Sequence, residues 1–267
     1  MGHKGTALTC LAGTLAAAWV MMGPAQADPM SRQAVATTTL AAFDEGRFET
    51  AARLSRSGDS ADAKALAARA LLAEGICGDG QPPAALLDEA DRLARAALDR
   101  NPDHLEGQLQ LAIALSLKAR PLSTREAMRT GYGGQARDLA RAVLKQAPDN
   151  GYAHGFLSVW HLEVVRRGGA LGATVMGASV GEAVEHYREA DRLLSRDPSV
   201  HWQFARALAA HDARAYRGWI DYALSKALVL PAETAVEETM AARARRLKDV
   251  LEQGDLKAAE RLAQSLL

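Results

Sequence analysis

The residues most able to do chemistry are concentrated in the stretch HGFLSVWHLEVVRRGG, residues 154–169. On a helix, His154 and His161 share a face but stand about 10.5 Å apart along the axis. Two histidines that chelate one ion from a single helix are normally four residues apart, as in H-E-x-x-H. Glu163 points to a different side, and His186 is the only other candidate ligand nearby. The spacing therefore predicts no metal site.

Acid–base catalysis by His161 or Glu163 would need a second titratable group and a pocket that shifts a pKa. The sequence contains no G-x-S-x-G motif, no phosphate-binding glycine loop and no pairing of Cys77 with a histidine. We therefore expect no catalytic residue and no cofactor. An enzyme is the least favoured hypothesis of function.

The charge balance excludes an obvious nucleic-acid partner. The chain has 32 basic and 32 acidic residues, which leaves no excess positive charge for phosphates. One basic cluster is present, and it has acidic neighbours at helical spacings, which predicts a solvated, ion-paired helix face. Its members are Arg243, Arg245, Arg246 and Lys248.

The first 27 residues are typical of a secretory signal peptide. Lys4 precedes a mostly apolar run over residues 7–22, Gly23 and Pro24 break it, and the small residues of AQA (25–27) form a cleavage site. A retained anchor is disfavoured because the run has about 16 residues and a membrane-spanning helix needs about 20. We expect cleavage after Ala27, a mature domain over residues 28–267 without a stable membrane span, and a periplasmic or secreted location.

The rest of the chain has the pattern of amphipathic helices. In DEADRLARAAL (88–98) apolar residues recur at spacings of three and four, which places them on one stripe of a helix. Similar stripes occur over 136–144, 183–194 and 239–251, and no β-branched runs interrupt them. The sequence predicts an all-α fold.

Recurring helix ends indicate repeats. LDRNP (98–102), LKQAP (144–148) and LSRDP (194–198) each close a helix on leucine and place a proline four residues later. Proline cannot continue a helix but is tolerated at the start of the next one. GRFETA (46–51) and GDLKAA (254–259) share a glycine that permits a tight turn between paired helices.

These features resemble the tetratricopeptide repeat (TPR), a helix–turn–helix unit of about 34 residues. Its small-residue position falls on Ala90 and Ala136, and its leucine position falls on Leu111 and Leu157. The third copy departs, with His186 at the small-residue position. The resemblance implies an antiparallel helix-hairpin repeat array, a TPR-like α-solenoid of about five units, with insertions near 120–133 and 168–181.

A weaker resemblance involves the regulator-of-microtubule-dynamics group. It is carried by WHLEV (160–164), GAS (177–179) and EAVEHY (182–187). Only the fold is carried over from this group. As a helical-repeat protein, the chain also resembles the treponemal-type accessory component of tripartite periplasmic transporters. That component works beside a solute-binding protein.

The resemblance implies a scaffold that binds a peptide or partner protein in a concave groove made by the first helix of each unit, and the signal-peptide pattern predicts that this scaffold is exported. The alternative is an accessory component of a periplasmic transport system that binds a solute-binding protein or a small apolar ligand. The glycine-rich segment 168–181 is expected to be a loop, and in that case it acts as a lid, with Leu171, Val175 and Met176 enclosing the ligand. The repeat register predicts the groove-lining residues Glu106, Leu109, Ile113, Tyr152, Val159, Glu163 and Trp202.

Overall fold

The computed structural model describes residues 29–267, so the predicted signal peptide lies outside the described residues. Over this range the chain forms thirteen helices and no strand, which confirms the all-α prediction. The helices are α1 (Pro29–Asp44), α2 (Phe48–Arg56), α3 (Ala61–Cys77), α4 (Ala84–Arg100), α5 (Leu105–Ala119), α6 (Thr124–Thr130), α7 (Tyr132–Gln146), α8 (Gly151–Met176), α9 (Val180–Leu193), α10 (Pro198–Asp212), α11 (Arg217–Val229), α12 (Ala235–Glu252) and α13 (Leu256–Ser265).

The helices form successive pairs, as the repeat pattern predicts. The pairs are α1/α2, α3/α4, α5/α7, α8/α9, α10/α11 and α12/α13, with α6 in the connection between α5 and α7. Three neighbouring sets of first helices pack on one another, namely α3 with α5, α8 with α10 and α10 with α12, whereas second helices pack chiefly on first helices. This asymmetry places the first helices on the inner surface of the array. The predicted α-solenoid is confirmed, with six pairs where about five were expected.

The proline-terminated segments are boundaries between pairs. Pro102 lies between α4 and α5, Pro148 lies between α7 and α8, and Pro198 is the first residue of α10. Proline suits these places because it lacks the N–H that a helix interior needs. The sequence motif therefore marks the ends of three repeats.

Glycine makes the turns within the first and last pairs. Gly46 has φ +77° and Gly254 has φ +79°, a left-handed conformation that residues with a Cβ rarely adopt. In each case the apolar residue two positions later, Phe48 or Leu256, begins the next helix. The predicted role of these two glycines is confirmed.

The core is built where the repeat register places it. Ala90 and Ala136, at the small-residue position, are completely buried, and Leu111 and Leu157 are at most 4% exposed. Alanine between helices lets their backbones approach closely, and each buried leucine contributes roughly 1.5–3 kcal/mol. The stacking of the pairs therefore rests on a core that the sequence pattern identifies.

The two insertions are more ordered than the sequence indicates. The first contains α6, which begins at a capping box formed by Ser123 and Glu126. The second was predicted as a glycine-rich loop over 168–181, and this is wrong for most of its length. Helix α8 continues to Met176 after a kink at Gly169, where φ is +58°. Residues 170–176 are helical because they include alanine, leucine and valine and only one glycine.

The array closes on itself. Helix α12 packs against α1 and α3, which belong to the first two pairs. Arg243 of α12 donates to the carbonyl oxygens of Ile76 at 2.7 Å and Gly78 at 2.9 Å, at the end of α3. The basic cluster around Arg243 predicted a solvated helix face. For Arg243 this prediction is wrong, because its guanidinium binds backbone carbonyl oxygens. In residues 29–267 we find no helix with the length and apolar character needed to cross a membrane.

Candidate functional site

The inner surface of the first helices is the candidate binding surface. One repeat position can be followed along it, four residues after each boundary proline, and it is occupied by Glu106, Tyr152 and Trp202. The Glu106 side chain is 40% exposed and Tyr152 is 54% exposed, whereas Trp202 is completely buried. The same position is thus open on α5 and α8 and covered on α10.

The chain's own last helix covers Trp202. Helix α13 turns back and packs more extensively on α10 than on its partner α12. Trp202 donates from Nε1 to the Leu267 backbone oxygen at 3.1 Å, and Gln264 donates to the Ala210 carbonyl at 3.0 Å. The prediction that Trp202 contacts a partner is therefore not supported by the structure, which makes it a core residue under α13. The sequence could not show this, because the covering residues lie about 60 positions downstream.

Arginines from other helices bind the C-terminal end of α13. Arg120, the residue that follows α5, donates to the carbonyl oxygens of Gln264 at 2.7 Å and Leu266 at 2.6 Å. Arg243 donates to the Leu267 oxygen at 3.0 Å. The last carbonyls of a helix lack intrahelical partners and carry partial negative charge, so cations there are favourable. These contacts hold α13 in the inner surface.

Glu163 is the counter-ion of two other arginines. Its carboxylate accepts from Arg206 at 3.2 Å and from Arg166 at 2.5 Å. Burial alone would raise its pKa, but Arg206 and Arg166 lower it to about 2. Burial in the same region, together with the charge of Arg206, lowers the pKa of Arg120 to about 10. The Glu163 carboxylate is therefore paired within the chain, and its place in a binding groove stays a prediction.

The remaining predicted groove residues divide into two sets. Leu109 is 4% exposed, and Ile113 and Val159 are half-buried against the core, so all three contribute packing. Glu106 and Tyr152 are accessible. Together with Arg69 of α3, whose guanidinium lies 3.9 Å from the Glu106 carboxylate, they form the open half of the inner surface.

Charged and aromatic groups meet in this open half. Glu106 also accepts from Gln110 at 2.9 Å, and Arg69 lies over the ring of Phe43 at 4.5 Å from its centroid. The charges of Arg69, Glu106 and Asp197 all act on the Tyr152 hydroxyl. The sequence predicted Glu106 and Tyr152 here, but Arg69 was missed because its helix precedes the first recognised boundary proline.

The glycine-rich segment does not enclose a pocket. Leu171 is 78% exposed and Val175 is 66% exposed, so neither lines a closed apolar cavity. A shallow pocket lies elsewhere, between the second helices α9 and α11. It is lined by Tyr187, Arg188, Asp191, Gly218, Trp219 and Tyr222.

The histidines are brought together across α8 and α9. His154 and His186 lie with their Nδ1 atoms 2.9 Å apart, and the rings of His161 and His186 have centroids 5.7 Å apart. The sequence analysis treated His154 and His161 as members of a single helix. It could not place α9, and with it His186 and Glu182, against them.

The comparison with solved structures supports this architecture. No family model matches the chain, and no curated protein matches it. Among solved structures it is similar to the crystal structure of TTC0263, a thermophilic TPR protein of Thermus thermophilus. The TM-score is 0.53 at 18% sequence identity, and the match covers 86% of this chain and 97% of that chain. At this identity the likeness shows the fold: the chain has a TPR-like fold.

Proposed function

We propose that the protein is an exported scaffold that binds a peptide or a partner protein on the open half of its inner surface. A TPR-like fold presents an extended concave surface suited to protein–protein interaction. The observation that carries the proposal is α13 itself. The inner surface binds this helix through an indole N–H and arginine side chains, so it is built to hold a peptide segment.

The open half offers complementary chemistry for such a segment. Tyr152 supplies an exposed aromatic ring with a polar tip, a combination that is enriched at interfaces. Arg69 and Glu106 provide one charge of each sign, so a segment with both a basic and an acidic residue can pair with them. This supports a docking site that continues the groove beyond α13.

The proposed export rests on the signal-peptide pattern of residues 1–27. Fractionation of cells that express the full chain should place the protein in the periplasm or the medium. N-terminal sequencing of that material should begin at Asp28. Protein retained in the cytoplasm with Met1 intact would contradict the proposed export.

The accessory role in transport is the weaker candidate. It was tied to an apolar pocket under residues 168–181, and the exposure of Leu171 and Val175 speaks against that pocket. An accessory protein that binds a solute-binding protein on the open half would be a special case of the scaffold. We assign no catalytic residue.

Photocrosslinking tests the docking site. A photoreactive phenylalanine analogue replaces Tyr152 on the inner surface or Tyr222 on the second helix α11, where the tyrosine is 42% exposed. We expect a defined protein adduct from position 152 and none of that size from position 222. The adduct should be lost when Glu106→Arg is added, because that substitution reverses one of the paired charges.

The matched positions separate specific docking from chance contact. Adducts of equal yield from both positions would show that the inner surface is not the preferred site. An adduct from position 152 that survives Glu106→Arg would remove the charge pair from the proposed interface. Circular dichroism should show the same helicity for all variants.

A further inference from the structure

We propose that His161, Glu182 and His186 form a Zn²⁺ site between α8 and α9. One ligand atom from each of these residues lies within 4.8 Å of the others. Two imidazoles and a carboxylate are a common ligand set for zinc and leave a fourth position open. The site is independent of the proposed docking surface.

The two helices supply the ligands at suitable spacing. Glu182 and His186 are four residues apart on α9, so both side chains reach the same side of that helix. His161 comes from the antiparallel helix α8. Ligands at about 2.0–2.1 Å from a tetrahedral ion stand about 3.4 Å from one another. The exposed Glu182 side chain can make the required closing movement by changing its rotamer.

The hydrogen bonds of His186 prepare its Nε2 atom for a metal. His154 Nε2 lies 3.0 Å from the Pro148 carbonyl oxygen, which can only accept, so His154 carries its proton on Nε2. In the neutral ring Nδ1 of His154 is then an acceptor, and His186 donates to it from Nδ1. This leaves a lone pair on Nε2 of His186. A ligating histidine that donates its other N–H in this way is oriented by its partner.

His161 must release the Ser179 amide to bind. In the structure its Nδ1 accepts from the Ser179 backbone N–H at 3.2 Å, so the proton of the neutral ring is on Nε2. Ligation through Nδ1 takes the lone pair that Ser179 now binds, and ligation through Nε2 moves the ring proton to Nδ1, so the bond from Ser179 opens in either case.

Nearby charge makes Glu182 necessary. Arg141 acts on both His161 and His186, and Arg137 acts on His161. These cations oppose the approach of Zn²⁺, and the Glu182 carboxylate is the ligand that offsets them. Removing the charge of Glu182 should therefore weaken Zn²⁺ binding more than removing the charge of a solvated carboxylate at the rim would.

Calorimetric titration of the tag-free protein with ZnCl₂ at pH 7 tests the site. We expect one Zn²⁺ per chain. Glu182→Gln and His186→Ala should each weaken binding at least about tenfold, and His211→Ala, which removes a histidine outside the cluster, should leave the affinity unchanged. Glu182 is exposed, so Glu182→Gln keeps the test valid even if a histidine variant is destabilised.

The Ser179 amide provides an independent signature. Its ¹⁵N–¹H resonance should shift on addition of Zn²⁺, and its hydrogen exchange should accelerate, because its acceptor on His161 is lost. Stoichiometric binding that Glu182→Gln and His186→Ala do not weaken would place the ion elsewhere and overturn the proposal. No binding at the protein concentrations of calorimetry, or an unmoved Ser179 resonance in the zinc-bound protein, would also overturn it.

Discussion

At the scale of single residues, Glu163 is the counter-ion of several arginines inside the array. It accepts from Arg206 and Arg166, and its carboxylate also offsets Arg120. Glu163→Gln leaves the buried Arg206 and the half-buried Arg166 without their counter-ion. We expect a loss of about 3 kcal/mol in the free energy of unfolding at pH 7, measured by urea denaturation. Glu185→Gln is the control, since its exposed pair with Arg188 should contribute less than about 1 kcal/mol.

The same substitution has a pH dependence of known sign. Glu163 has its pKa lowered to about 2, so its contribution is complete above the ordinary pKa of 4.5 and is lost as the pH falls toward 2. The stability difference between the wild type and Glu163→Gln should therefore shrink between pH 5 and pH 2.5. A difference that stays constant over this range would show that Glu163 is not held as a buried carboxylate.

Residue identity and spacing predicted residues of the proposed docking surface but no metal site. The repeat register placed Glu106, Tyr152 and Glu163 on the inner surface, because each first helix begins at a fixed distance from a boundary proline. The register could not tell whether Trp202 would be open or covered, since α13 covers it from another part of the chain. For the same reason the spacing of His154 and His161 argued against a metal without the ligands of α9.

At the scale of elements, the two left-handed glycines differ in their surroundings. A Cβ on Gly254 would meet nothing within 4 Å, whereas a Cβ on Gly46 would lie 2.8 Å from Cβ of Ala235 on α12. We expect Gly254→Ala to cost about 1–2 kcal/mol, the penalty of a left-handed residue with a side chain. Gly46→Ala should cost about 1 kcal/mol more, because the added methyl overpacks the contact with α12.

A double substitution isolates the contact between the first and last pairs. Adding Ala235→Gly to Gly46→Ala removes the opposing methyl and should recover the extra loss but not the backbone penalty. Thermal denaturation of these three variants and the wild type measures both effects. Equal losses for Gly46→Ala and Gly254→Ala would mean that the turn after α1 does not press on α12.

Element boundaries were the most predictable feature, because proline and glycine act locally. Pro198 begins α10 and Gly254 turns into α13 whatever the tertiary environment is. Residues 170–176 were misjudged for a related reason. The number of glycines indicated a loop, but within residues 168–181 only Gly169 and Gly177 have positive φ, and the residues between them continue the helix.

At the scale of the whole molecule, Arg243 connects the last pair to the second. It binds carbonyl oxygens at the end of α3 and the Leu267 oxygen at once. Arg243→Met should loosen this closure, so amide hydrogen exchange should accelerate in α13 and the radius of gyration measured by X-ray scattering should increase. Arg246→Met is the matched control, since Arg246 is exposed on the same helix. Equal exchange in the two variants would assign the closure to other contacts.

By itself the sequence determined the all-α class, the paired helices, the turns and the stripe that each helix buries. These follow from periodicity and from the backbone limits of proline and glycine, which act within a few residues. Only the tertiary structure decided how far the array curves, that α12 reaches α1 and α3, and that α13 lies in the inner surface. The physical reason is that such contacts join residues up to 167 positions apart, and they depend on small rotations between pairs that add up along the array.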